Sequence, residues 1–356
     1  MKNSPKFIYY NIKDKSLIKK FDYNYPVISS KQILLKVNFC GICGSDIAMI
    51  NKGSKRINKK TILGHEIIGT VIEIGKHIKD KSILHDRFCL GADIKFNCLK
   101  YIDDCEYCKK DNANLCNYPQ AIGHEINGGF ANYIILDYLT FKNTPRFKIP
   151  NDIKLEAKYA LTEPLACCIN AFKKIYDKNK NSILIFGLGP MGYLLGKLAI
   201  ALGYKKIIYI EKDLKRINLV KKLKETKFRY FKDFKSFKNY KDINEINQVI
   251  VACKSSEAIK NSFLLGVKNY QINFFSGIKN DKKIGVSSDF IHYNQISITG
   301  THGSTFGDFK KAFNMISKKI IDIKKGFISV IKLDELDKYI NNRKSNCHLK
   351  LVLKND

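Results

Sequence analysis

Apolar and polar positions change their rhythm twice along the chain. Over roughly the first 160 residues the apolar segments are short and β-branched, as at 32–37 and 67–74, and Gly, Asn and Asp separate them. That pattern predicts strands and turns. The middle differs. Ser182–Phe186 is a compact apolar run, and after a glycine turn residues 191–202 are apolar at helical spacing, with Gly203 placed to end the helix. Lys206–Ile210 predicts a second strand, 214–223 a second helix, and 248–252 and 271–275 further strands around a helix at 257–265. Strands alternating with helices at this spacing mean βαβ units and a parallel sheet. The last fifty residues return to mixed short elements, with a helix near 308–317. One element recurs: Leu63-Gly64-His65-Glu66 is echoed by Ile122-Gly123-His124-Glu125.

The length of 356 residues suits about two domains at roughly 150 residues each. With 45% hydrophobic and 27% charged residues, the balance is that of a globular enzyme. No apolar run reaches the roughly 18 residues of a membrane span. Met1-Lys2-Asn3-Ser4-Pro5-Lys6 leads into no apolar stretch, so neither a span nor a secretory signal is expected. The net charge of +30 resembles a nucleic-acid signature, yet only six of the 63 basic residues are Arg. Arg makes the bidentate contacts to bases and phosphates. Lys, Asn and Ile are raised along the whole chain and Trp is absent. The charge therefore reads as a residue bias, with solubility and some attraction for anions as its consequences; no nucleic-acid or membrane partner is expected.

Eleven cysteines without a secretory start favour metal ligation over disulfides, and a reducing cytoplasm as the compartment. Four lie at Cys98, Cys105, Cys108 and Cys116; Cys40 and Cys43 bracket Gly41-Ile42. The glycine turn is Gly187-Leu188-Gly189-Pro190-Met191-Gly192, and Glu211 follows it by 19 positions at the end of the next strand. A strand before it and a helix after it are what a dinucleotide fingerprint requires. The glycines let the backbone approach, and the helix N-terminus faces the pyrophosphate. Glu211 would take the ribose hydroxyls, which favours NAD over NADP, against the nearby Lys212 and Arg216. Cys40-Gly-Ile-Cys43 offers a redox pair or half of a zinc ribbon, though a redox CxxC is expected near a βαβ pattern and this one lies in the strand-rich region. A thiolate, an imidazole and a carboxylate at Cys43, His65 and Glu66 make an open zinc site when a further acid such as Glu163 is available.

Taken together, these marks resemble the zinc-dependent medium-chain alcohol and polyol dehydrogenases. The matching stretches are Gly41-Ile-Cys-Gly-Ser-Asp46, Gly64-His-Glu66, Cys105-x2-Cys108-x7-Cys116, Gly128-Gly-Phe-Ala-Asn-Tyr133, Glu163-Pro-Leu165, the 187–192 turn and Gly300-Thr-His-Gly-Ser304. The resemblance implies an α/β protein: a β-rich GroES-like catalytic domain over 1–163 and 303–356, and a Rossmann coenzyme domain over 164–302. It also resolves the CxxC, making Cys43 the ligand and Cys40 a small buried neighbour. Cys43, His65 and Glu163 would hold a catalytic zinc, with Glu66 a direct or intermittent ligand as in the sorbitol-like branch. Ser45 would hydrogen-bond the alcohol, and zinc would lower the pKa of its hydroxyl. Gly187, Gly189, Pro190, Met191, Gly192, Glu211 and Arg216 would bind the cofactor.

The chain departs from that family in two places. Ala48 stands where many relatives carry a relay histidine. The thiol lobe has Ile102 where the first of four cysteines belongs, and Cys98, four residues upstream, is expected to supply the fourth ligand of a structural zinc. His124-Glu125 falls just before the Gly128-Gly129 turn, with no cysteine placed to partner it, and reads as turn and strand.

The resulting expectation is an NAD-dependent oxidation of a secondary hydroxyl on a polyol or sugar derivative, by a homodimer or homotetramer. Asn273-Phe-Phe-Ser-Gly277 also resembles the sorbitol branch. A dehydrogenase for threonine, a simple alcohol or a sugar phosphate is the alternative, since Lys52, Lys55, Arg56, Lys59 and Lys60 would suit an anion. A basic zinc-ribbon nucleic-acid binder leaves the fingerprint and Glu163 without a purpose.

Overall fold

A computed structural model describes residues 7–13, 16–22, 24–57, 61–94, 105–175, 181–277, 285–341 and 349–355. Its chain divides into two units: Met1–Ala166 with Ser304–Lys318 and Ile328–Asp356, and Cys167–Gly303 with Lys319–Phe327.

The first unit is built on antiparallel strands. β1 (Phe7–Lys13) and β2 (Ser16–Asp22) form a hairpin. β3 (Gln32–Gly41) is the spine of the larger sheet. It pairs antiparallel with β4 (Glu66–Ile74) along most of its length. The sheet continues from β4 through β5 (Arg87–Leu90) to β7 (Arg146–Ile149). The first half of β3 also pairs with β6 (Tyr133–Asp137). Period-two side chains such as Ile33, Leu35 and Val37 point into a core completed by Ile67, Val71, Phe130 and Ile134.

The second unit carries a six-stranded parallel sheet. Its strands are β8 (Ser182–Phe186), β9 (Lys206–Ile210), β10 (Phe228–Phe231), β11 (Ile246–Val251), β12 (Gln271–Phe274) and β13 (Ser297–Gly300). They lie in the order β10-β9-β8-β11-β12-β13, the doubly wound order of a dinucleotide-binding sheet. All five residues of β8 are buried, as expected of a strand covered on both faces. In the first unit, β14 (Ile328–Lys332) and β15 (Lys350–Lys354) add to the end of β3, with β15 pairing antiparallel to Phe39–Gly41 register positions.

The α/β class and the two sheet types agree with the sequence reading. The helix at Pro190–Ala201 opens with proline at its first turn. It ends at Gly203, φ +98°, where Gly203 N–H bonds Ile200 O and Tyr204 N–H bonds Ala199 O. This is the left-handed glycine stop expected there. The helices at Leu214–Lys221 and Ser256–Ser262 are shorter than their apolar periodicity suggests. Lys224 (φ +54°) and Gly266 (φ +78°) turn the chain soon after each one.

Candidate metal centres and nucleotide site

Cys43 is the N-cap of the helix Gly44–Lys52, and its backbone N–H donates to Asp46 Oδ2 at 2.8 Å. Asp46 Oδ1 lies 3.2 Å from His65 Nδ1, an ion-pair contact outside hydrogen-bond geometry. His65 is set by Gly64, whose φ of +96° only glycine holds without strain. Glu66 then opens β4. Donor atoms of Cys43, His65 and Glu66 consequently lie within 4.8 Å of one another.

Burial and charge act against each other across this cluster. Burial pushes the His65 ring toward neutrality, yet Asp46 and the Cys43 thiol outweigh it and hold its pKa well above the ordinary value. Burial also pushes the Asp46 carboxyl up, but His65 outweighs that and keeps it low. Glu163, in the first turn of the helix Thr162–Lys174, is raised to about 7, first by desolvation and then by Glu66 and Asp93. Glu66 Oε2 is buried without a hydrogen-bond partner. A thiolate, an imidazole and a buried carboxylate oxygen are a donor set that fits zinc. Glu163 stands outside the 4.8 Å cluster, while its carboxyl senses His65 and Glu66. Ser45, partly exposed, follows Cys43 by two residues in the first helical turn, and Ala48 lies one turn on. Cys40 is buried as a free thiol, its pKa raised first by desolvation; a Cβ at Gly129 would come within 2.7 Å of its sulfur.

Sequence pattern does not point to Lys350. It begins β15, is 2% exposed, and donates to Glu66 Oε1 at 2.6 Å and Ile42 O at 3.0 Å. In a lysine-rich chain nothing marks it out. The contact of the second Gly-His-Glu copy with the first was likewise invisible: the rings of His65 and His124 are 5.2 Å apart. Burial, His65 and Arg56 push the His124 ring down to about 4. Arg56, considered for an anion, is held by Glu125 through Nε (2.5 Å) and Nη2 (2.9 Å). Lys52 and Lys55 are exposed; Lys59 and Lys60 lie outside the described residues.

In the thiol lobe, Cys105, Cys108 and Cys116 are buried with their sulfurs within 4.8 Å of one another. Cys105 Sγ and Cys116 Sγ are 3.7 Å apart, close to the roughly 3.8 Å edge of a tetrahedron with 2.3 Å zinc–sulfur bonds. Backbone N–H groups of Asn117 and Cys108 pull the Cys105 thiol down to about 6, favouring the thiolate a metal needs. Cys98 lies outside the described residues.

The second unit holds a cavity lined by Gly187, Ile210, Glu211, Arg216, Phe234 and Asn261 among others. Gly187 has φ +99°, and a Cβ on Gly192 would collide with Gly187 O. Gly189 is the N-cap of the helix that Pro190 and Met191 begin, and a Cβ built there meets nothing within 4 Å. The open space at Gly189, at a helix N-terminus, is of the kind that suits an anionic group. Glu211 is nearly buried and accepts from Leu188 N–H (2.8 Å), Asp213 N–H (2.9 Å) and Arg216 Nη1 (2.9 Å).

One unit is antiparallel β with a cysteine–histidine–glutamate cluster, and the other is a doubly wound parallel sheet; this is the combination of folds and donor set that zinc-type alcohol dehydrogenases share. Residues 29–145 match the alcohol dehydrogenase GroES-like domain. The chain is 33% identical over 205 residues to a D-arabitol-phosphate dehydrogenase of Enterococcus avium, covering 57% of this chain and 54% of that one. It thus spans about half the length of that relative. A sorbitol dehydrogenase of Halalkalibacterium halodurans is 26% identical over 335 residues, covering 92% and 93%. A zinc-binding dehydrogenase structure from Sinorhizobium meliloti, bound to NADP, matches the fold with a TM-score of 0.82 at 22% identity, over 98% and 99% of the chains. Residues 29–145 thus carry the alcohol dehydrogenase GroES-like domain, and the chain is similar in sequence to polyol dehydrogenases.

Proposed function

We propose that this protein oxidises a secondary hydroxyl of a polyol or sugar derivative with NAD as acceptor, at a zinc held by Cys43, His65 and Glu66 with Glu163. The observation that carries this reading is the convergence of Cys43, His65 and Glu66 within 4.8 Å. A bound zinc would polarise the substrate oxygen and lower the pKa of its hydroxyl. Asp46 pairs with His65, and Lys350 fixes one oxygen of Glu66. Ser45 supplies a hydroxyl that can hold the substrate proton at its Oγ. With alanine at position 48, that proton leaves by a route other than a histidine there. In the second unit, Gly187, Gly189, Pro190, Met191 and Gly192 cradle the pyrophosphate. Glu211, held by Arg216, faces the ribose and disfavours a 2′-phosphate.

A second zinc on Cys105, Cys108 and Cys116, completed by Cys98, is proposed as structural. The names of the relatives, arabitol-phosphate and sorbitol dehydrogenases, support a polyol-type substrate. The bidentate hold of Glu125 on Arg56 favours an uncharged polyol over its phosphate. A homodimer or homotetramer in the cytoplasm completes the proposal, in keeping with described cysteines that are joined by no disulfide. A panel of alditols, cyclitols, amino alcohols and their phosphates, read by NADH absorbance with zinc-loaded protein, tests it. NADH formation on a polyol supports the reading, and absence of turnover across the panel while zinc and NAD bind overturns it.

A further inference from the structure

The second Gly-His-Glu copy has no part in the chemistry above, yet it packs against the first. A Cβ on Gly123 would lie 2.7 Å from Gly64 O, and one on Gly128 would collide with that same oxygen. The second turn therefore lies against the backbone of the first, which requires glycine at 123 and 128; Gly64 is glycine for its own φ of +96° and for the closeness of Phe130 and Cys40, and φ is +79° at Gly123. The contact sets the His124 ring 5.2 Å from that of His65, tilted by 48°.

The turn that carries His124 is tied down on several sides. Gly123 N–H bonds Ile126 O at 2.7 Å and His124 N–H bonds Ala121 O at 3.1 Å. Glu125 Oε2 accepts from Ala121 N–H at 2.9 Å, and Arg56 grips the same carboxylate through two nitrogens. Bidentate charge-assisted pairs of this kind fix orientation as well as position. The imidazole itself is only weakly engaged. Nδ1 stands 3.5 Å from Ile122 O, at the outer limit of a hydrogen bond. Nε2 has no hydrogen-bond partner among the described residues. A rigid turn thus presents a half-buried ring, with one nitrogen unused, beside the ring of a candidate metal ligand.

We infer that His124 is a substrate-contacting residue whose unused nitrogen hydrogen-bonds a second hydroxyl of a polyol while the reacting hydroxyl lies at the Cys43–His65–Glu66 centre. This rests on the dehydrogenase reading and narrows its substrate to compounds with a hydroxyl on a neighbouring carbon. Imidazole suits this role because its nitrogens can donate to or accept from a hydroxyl. Arg56 and Glu125 act through His124, as positioning residues that hold its turn.

The test uses zinc-loaded protein with NAD and compares each polyol with the same compound lacking one neighbouring hydroxyl, beginning with 2,3-butanediol and 2-butanol. His124→Phe should lower kcat/KM for the diol about fivefold, mainly through KM, the size of one net hydrogen bond of about 1 kcal/mol. The mono-alcohol should stay within about twofold, since it makes no such bond. His124→Asn, which keeps a donor and an acceptor, should recover part of the loss, and should carry the comparison if the phenylalanine variant does not fold. Zinc per chain, measured by mass spectrometry, should be unchanged in both variants. Equal losses on diol and mono-alcohol, no loss on either, or depleted zinc would overturn the inference while leaving the dehydrogenase reading in place. A wild type without turnover on any polyol pair overturns both.

Discussion

Lys350 Nζ stands 2.6 Å from Glu66 Oε1, and both side chains are buried. This pair joins the start of β15 to the start of β4, beside the candidate metal donors. Removing one partner of a buried ion pair strands the other charge and costs about 3–5 kcal/mol. Lys350→Met should therefore destabilise metal-free protein by about that amount in urea denaturation. Zinc loading should narrow the gap, because the metal would neutralise the stranded carboxylate. A metal-free stability equal to wild type would show that Glu66 is not a buried carboxylate there.

Cys43→Ser should lose one zinc per chain and all turnover, because a serine hydroxyl is a far weaker ligand than a thiolate. Binding of NAD, followed by NADH fluorescence, should be unaffected, since the residues proposed to hold it lie in the other unit. Turnover that survives in this variant would exclude the catalytic assignment.

Two zinc per chain are expected in wild type, and Cys108→Ser and Cys98→Ser should each retain about one. Three convergent thiols without a fourth ligand leave an open coordination position, whereas structural zinc prefers four. Elemental analysis of both variants, beside their melting temperatures, decides whether Cys98 completes the lobe. Two zinc retained in Cys98→Ser would remove it from that role.

Glu211 accepts hydrogen bonds from Leu188 N–H, Asp213 N–H and Arg216. Glu211→Ser removes the negative charge and releases Arg216 toward a 2′-phosphate. The NAD to NADP ratio of kcat/KM should fall at least tenfold, or about 1.4 kcal/mol. A wild type that prefers NADP would refute this role.

The pair Arg56–Glu125 supplies a pH dependence. Burial pushes the Glu125 carboxyl up, but the Arg56 guanidinium outweighs it and the net shift is downward. A carboxyl with a lowered folded pKa adds stability that is fully present above its unfolded value, about 4.3. That stability is lost as pH falls through the folded value. The stability difference between wild type and Glu125→Gln should be constant from neutral pH to about 5 and shrink below about 4. A difference that grows on acidification would contradict the assigned shift.

Local pattern was enough to determine much of this protein. The apolar run Ser182–Phe186, the glycine turn after it and Glu211 at the end of the next strand are close in sequence. Their periodicity and spacing therefore announce a βαβ unit with the glycine turn that the structure shows. The spacing of Cys105, Cys108 and Cys116 likewise lies within one short stretch, and their convergence follows from it. What only the tertiary structure decided are pairings between distant segments. Lys350 meets Glu66 because β15 joins the end of β3 opposite the start of β4. His124 meets His65 because two glycine turns pack backbone to backbone, 59 positions apart in a chain where a repeated tripeptide carries no mark of contact. Such pairings depend on strand register and on close approach, and neither leaves a period in the sequence.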